Sequence, residues 1–157
     1  MTSKEMMDSL IDHTTRSSAP GMPQSDTPRL ADTLKRDVYD LCLPEGRKVG
    51  TQGHQNAIEF LTRRLSEIGC DFYRGSSFEL TYRVGGQDFS NLVGVVPGKN
   101  RQLSPLLIGA HYDSVIEAPC ADDNGAAVAM CLALGQMATA SGGPERDIVV
   151  ALFDAAL

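Results

Sequence analysis

Hydrophobic positions along this chain repeat first with a helical period and then with a strand period. Over residues 28–43, Leu30, Leu34, Val38 and Leu41 recur at spacings of three and four, which predicts one apolar helical face. Pro44, Glu45 and Gly46 end that helix. After a loop with Gly46, Gly50 and Gly53, Thr51 is placed to cap a second helix. Its apolar stripe is Ala57, Phe60, Leu61, Leu65 and Ile68, and Gly69 closes it. From Asp71 the period shortens. Residues 78–82 alternate as a half-buried strand, Gly85 and Gly86 mark a tight turn, and residues 89–96 return as the hairpin partner. Residues 106–110 form a short apolar strand of the fully buried type. Residues 125–140 are alanine-rich, with Val128, Leu132, Leu134 and Met137 apolar nearly all round, so this helix is expected to be buried. Gly142, Gly143 and Pro144 break it, and residues 148–153 read as another buried strand.

Strand, loop, helix and strand in that order make a crossover unit, which implies adjacent parallel strands in an α/β sheet. Open sheets of this kind collect ligands outside the carboxyl ends of their strands. Residues 111–123 follow one such end and residues 154–157 the next, so two separate loops converge on one crevice.

At 157 residues the chain has the length of one domain, and it shows no internal repeat. Residues 28–157 read as that α/β domain. Residues 1–27 are rich in Ser, Thr, Pro and Asp and read as a mobile segment with a short helical turn around residues 6–11. No secretory or transit signal is visible, which makes the cytoplasm the default expectation. No apolar run approaches the roughly 20 residues of a membrane helix. A net charge of −6 argues against nucleic-acid binding, which depends on clustered Lys and Arg. Cys42, Cys70, Cys120 and Cys131 are widely spaced without a C-x-x-C pair, so reduced, partly buried thiols are expected.

His111, Asp113, Asp122 and Asp123 crowd one loop. Imidazole nitrogen with carboxylate oxygen suits a divalent cation such as zinc, the simplest way to offset such negative charge. A bland alternative stands beside this reading. Asp122 and Asp123 would also serve to cap the following helix, and Asp154 to form a turn. His13 and His54, in a polar tail and at a helix start, are assigned no chemistry.

Taken together, three segments resemble the co-catalytic zinc aminopeptidase family, which also holds glutamate carboxypeptidase and glutaminyl cyclase relatives. They are Gly109-Ala-His-Tyr-Asp-Ser-Val115, Ala121-Asp-Asp-Asn-Gly-Ala-Ala127 and Arg146-Asp-Ile-Val-Val-Ala-Leu-Phe-Asp-Ala155. Gly46-Arg-Lys-Val-Gly-Thr51 and Phe89-Ser-Asn-Leu-Val93 are similar to upstream family signatures. The resemblance runs from about Arg36 onward. It implies a three-layer α/β sandwich with a mixed, partly parallel central sheet, truncated after the second core crossover strand.

By the same resemblance His111 is the ligand of a first zinc and Asp123 the carboxylate bridging two zincs, joined to Asn124 by a cis peptide. Asp113 matches the carboxylate that orients active-site groups, and Asp122 is not a ligand. Cys120 replaces a common glycine. The implied activity is hydrolysis at the aminoacyl end of peptides by a zinc-activated water. The family continues past Phe153-Asp-Ala155 with two glutamates, a general base and a ligand, where this chain has Ala156 and Leu157. Later ligands would lie beyond the terminus, so the chain alone is expected to be inactive, with zinc weak or absent. A glutaminyl cyclase relative is the alternative in the same fold, although Asn124-Gly125-Ala126 fits the peptidases better. A non-catalytic interaction protein is the alternative in another class. The strand at 146–153 is expected to lack a partner or a covering layer, an invitation to self-association through an exposed sheet edge.

Overall fold

In a computed structural model, which describes residues 27–154, the two amphipathic stripes become helices α1 (Thr27–Leu41) and α2 (Gln52–Ile68). The turn expected at residues 6–11, His13, Ala156 and Leu157 lie outside the described residues. Thr51 Oγ1 accepts a hydrogen bond from the His54 amide at 3.3 Å, satisfying one orphan donor of the first turn of α2. At the other end Gly69 turns left-handed at φ 84°, and its amide bonds Ser66 O. Arg64 of α2 forms a two-pronged pair with Asp37 of α1, both contacts at 3.0 Å and both side chains buried. The helices are thus locked at one register.

Five strands follow: β1 (Asp71–Phe72), β2 (Glu79–Val84), β3 (Gln87–Val96), β4 (Leu106–His111) and β5 (Ile148–Phe153). Helix α3 (Ala126–Ala140) connects β4 to β5. The sheet order is β1-β3-β5-β4, with β2 also paired to β3. The β2–β3 hairpin turns at Gly85 and Gly86, at φ 60° and 86°, where a side chain would be strained. β3 meets β5 antiparallel, and β4 meets β5 in parallel from Leu106 opposite Ile148 to His111 opposite Phe153. The crossover and the mixed, partly parallel sheet of the α/β class are both present.

The helices cover one face of the sheet. Leu61 and Leu65 of α2 and Val128 and Leu132 of α3 share a core with Leu92, Val96, Val150 and Leu152. On the opposite face Val93, Val95, Val149 and Ala151 form a second, smaller cluster against Leu80.

Three expectations need correction. The strand read at 78–82 keeps its alternation only at its start: Phe78, just before β2, is in the main core and Leu80 packs on the second cluster, but the rest of β2 is exposed because it pairs with β3 alone. Helix α3 is not buried all round: Met130 and Leu134 are half exposed, since α1, α2 and the sheet together cover only the side bearing Val128, Cys131 and Leu132. Finally, the edge of the sheet is not at β5. The crossover seats β5 between β3 and β4, so among the described residues the sheet's edges are β4 on one side and β1 with β2 on the other, with Leu106 and Leu107 of β4 52% and 60% exposed.

A candidate metal centre at the carboxyl ends of the parallel strands

The loop leaving β4 is held from below by one buried arginine. Arg47 Nε donates to Tyr112 O at 2.6 Å, Nη1 to Pro119 O at 2.6 Å and Nη2 to Cys120 O at 3.0 Å. Its backbone amide bonds Ser114 Oγ, and the Ser114 amide returns a bond to Arg47 O. A planar, permanently charged donor fork suits several carbonyls at once. Gly46 precedes it at φ 71°, with its α-carbon pressed against the Ala118 backbone, where a Cβ would approach to 2.6 Å. The loop therefore closes on the glycine–arginine pair that opens the Gly46–Thr51 segment, whose structural role the sequence did not reveal.

From Cys120 the chain enters a single wide helical turn, residues Ala121–Gly125, before α3. Cys120 itself is left-handed at φ 46°, which explains why glycine suits this position. Asp123 leaves helical geometry at φ −130°, ψ 86°, and its bond to Asn124 is cis, as the resemblance implies. Neither the turn nor α3 receives a side-chain cap, so Asp122 and Asp123 are not spent on capping.

This backbone brings His111, Asp113 and Asp123 together. His111 Nε2 lies 3.1 Å from Asp123 Oδ1, and Nδ1 lies 3.3 Å from Asp113 Oδ1. The imidazole stands between a buried carboxylate and a solvent-facing one, the Asp123 side chain being 81% exposed. Nδ1 is buried and misaligned for a hydrogen bond. An imidazole nitrogen and a carboxylate oxygen at this separation are chemically fit to share a divalent cation. Two donors are half of a closed zinc shell. Among the described residues, no group of three or more His, Cys, Asp or Glu side chains is arranged to hold a metal ion. Asp122 is exposed, beside the cluster.

A second buried constellation lies at the end of β5. His54 Nε2 meets Asp154 Oδ1 at 2.9 Å, while Asp154 Oδ2 accepts from the Ser90 amide at 2.8 Å. The Asp154 amide donates to Asn91 Oδ1, and its carbonyl accepts from the Tyr82 hydroxyl. His54 also stacks on Tyr112, whose hydroxyl donates to Ser90 O. Burial, with the charge of Asp154 behind it, pushes the Tyr112 phenol well above its ordinary range. His54 is thus a buried partner in the sheet-end network, and Asp154 is more than a turn residue. The missed signal was the Thr51 cap, which aims the first turn of α2 at the strand ends.

The model of Peptidase family M28 matches residues 91–155, which run from the middle of β3 through β5 and include His111, Asp113 and Asp123. A vacuolar membrane protease of Schizosaccharomyces japonicus is 39% identical over 61 residues, 39% of this chain and 7% of that protein. Among solved structures, glutaminyl cyclases of several organisms share the architecture. That of Fimbriiglobus ruber superposes with a TM-score of 0.61 at 24% identity, covering 78% of this chain and 44% of that one. A Zn-dependent exopeptidase from Parabacteroides distasonis gives 0.62 at 22% identity over 80% and 46%. The chain thus spans less than half the length of these solved structures and under a tenth of the curated protease. The architecture over most of this chain is therefore an M28-like, zinc-exopeptidase fold related to that of the glutaminyl cyclases.

Proposed function

We propose that this chain carries the first-metal corner of a zinc-dependent site that acts at the amino-terminal residue of a peptide. The single observation that supports this reading is the convergence of His111 and Asp123 on one another, with Asp113 behind the imidazole. His111 and Asp123 would hold the metal, and Asp113 would keep the histidine in the tautomer that leaves Nε2 free to bind. Bound zinc supplies Lewis-acid polarisation of a substrate carbonyl. Arg47 keeps the loop in register, and the His54–Asp154 pair fixes the point where β5 delivers the following residues.

Two reactions use such a corner. Cyclisation of an amino-terminal glutamine is better supported by the solved neighbours, which include several glutaminyl cyclases. Peptide hydrolysis is supported by the match of residues 91–155 to a peptidase family and by the protease relative. Either reaction needs a proton acceptor, and Ala156 and Leu157, at the positions where the resemblance places glutamates, cannot serve. Loss of such a base costs a factor of about 10² to 10⁴. This chain by itself is expected to bind zinc weakly and to turn over neither substrate, leaving an interaction role as the alternative.

Calorimetric titration with zinc tests the corner: weak binding should vanish in both His111→Ala and Asp123→Ala, and binding unchanged in both would refute it. Ammonia release from a glutaminyl peptide and hydrolysis of an aminoacyl-nitroanilide, run side by side, separate the two chemistries. Full turnover of either by this chain would overturn the expectation of inactivity. Among partners, a second copy pairing along β4 is the self-association we expect, since Leu107 is exposed there. Leu107→Lys should then lower the weight-average mass measured by light scattering, and an unchanged mass would exclude that edge.

A further inference from the structure

The thiol of Cys42 and the backbone carbonyl of Cys120 meet at one guanidinium beside the Asp123 turn. Arg47 Nη1 lies 3.4 Å from Cys42 Sγ, and Nη2 of the same group donates to Cys120 O at 3.0 Å. Gly125 sits in the same contact. A Cβ there would strike Cys42 Sγ and lie 3.5 Å from Cys120 O. Burial raises the Cys42 thiol above its ordinary value, the Arg47 charge and hydrogen bond pull it back, and the neighbouring Cys120 raises it again. Both thiols are free and partly exposed. The other two cysteines are placed differently: Cys131 is buried in the core on α3, and Cys70 packs against Gly94 and Leu65.

We propose that Cys42 and Cys120 form a reversible disulfide that ties the end of α1 to the turn carrying Asp123. The oxidant is a low-molecular-weight disulfide such as glutathione disulfide. The Cys120 thiolate, on the loop, attacks one sulfur of it and displaces a glutathione thiolate, giving a mixed disulfide. Cys42 then loses its proton to solvent and attacks the Cys120 sulfur, displacing the second glutathione, which takes up a proton. Two protein thiols are oxidised and one glutathione disulfide is reduced to two thiols. Arg47 favours the second step by standing against the Cys42 sulfur, where its positive charge stabilises the attacking thiolate. The bond would fasten Cys120, and so the start of the turn, covalently to a helix end that now meets the turn through hydrogen bonds to Arg47 and the packing of Cys42 against Gly125. This inference does not depend on zinc or on turnover.

The full chain, incubated with glutathione disulfide, is read by intact mass and by peptide mapping without reduction. A loss of about 2 Da and a single cross-linked peptide pair holding Cys42 and Cys120, reversed by dithiothreitol, are expected. Both signals should disappear in Cys42→Ser and in Cys120→Gly, the latter a substitution that the left-handed backbone favours and that therefore keeps the fold. Glutathione adducts without a cross-link, a bridge to Cys70 or Cys131, or cross-links only between molecules would each overturn the proposal.

Discussion

Cys120 and Gly125 are five residues apart and are each constrained by the same few ångströms of space. Cys120 holds a left-handed conformation at φ 46° that costs a side-chain-bearing residue about 1–2 kcal/mol. Glycine removes that cost and gives back some entropy to the unfolded chain, so Cys120→Gly should stabilise by about 0.5–1 kcal/mol. Urea denaturation would show it as a raised midpoint at unchanged slope. Gly125 is the opposite case. Its backbone is ordinary helix, but an added methyl group meets the Cys42 sulfur. Gly125→Ala should therefore destabilise by about 1–3 kcal/mol through overpacking, and Cys42→Ala combined with it should restore most of the loss. A purely conformational role for the glycine predicts no such rescue.

At the scale of elements, one arginine does for the β4–α3 loop what a strand ladder does for the sheet. Arg47 supplies hydrogen bonds to the carbonyls of Tyr112, Pro119 and Cys120, and truncation leaves them without a partner. An unsatisfied buried group costs about 1–3 kcal/mol, so Arg47→Ala should cost at least about 3 kcal/mol. Amide exchange should quicken first across residues 112–125 while the β3–β5 ladder stays protected. The elements themselves were legible in the sequence because their signals are local. Thr51 and Gly69 delimit α2 as read, and the glycine pair at 85–86 turns the hairpin as read. The failures were failures of surroundings. Leu134 looked as apolar as Leu132, but only Leu132 faces the sheet.

For the whole molecule, buried thiols and phenols make stability depend on alkaline pH. Burial, and to a lesser degree Asp71, raises the Cys70 thiol from 9.0 to about 11. Between those values the unfolded chain releases a proton that the folded chain retains, so the balance shifts towards unfolding. The Cys70 contribution is complete below pH 9.0 and is lost as pH rises through about 11. Tyr112 acts in the same direction from about pH 10 upward. Denaturation midpoints measured across this range should fall with pH, and Cys70→Ala should flatten the first part of the fall. An unaltered slope in that variant would show that the thiol keeps an ordinary pKa. Folding also decides which strands lie inside the sheet: among the described residues β5 is paired on both sides, between β3 and β4, and β4 is one of the two edges.

The sequence by itself determined the kinds of element and their order, the parallel crossover, and the loop in which a histidine and three acidic residues crowd together. Period, turn residues and caps act over a few positions, so they can be read without knowing the fold. Only the tertiary structure decided which of these groups face each other. The bond from Arg47 to the Tyr112 carbonyl spans 65 residues, and that from His54 to Asp154 spans 100. Such partners are chosen when the sheet and helices close on a shared core and leave a buried polar group with no other place to bond. His111 between Asp113 and Asp123 stands at the boundary of the two regimes: its neighbours are close in sequence, but only the wide turn before α3 swings Asp123 back onto the imidazole.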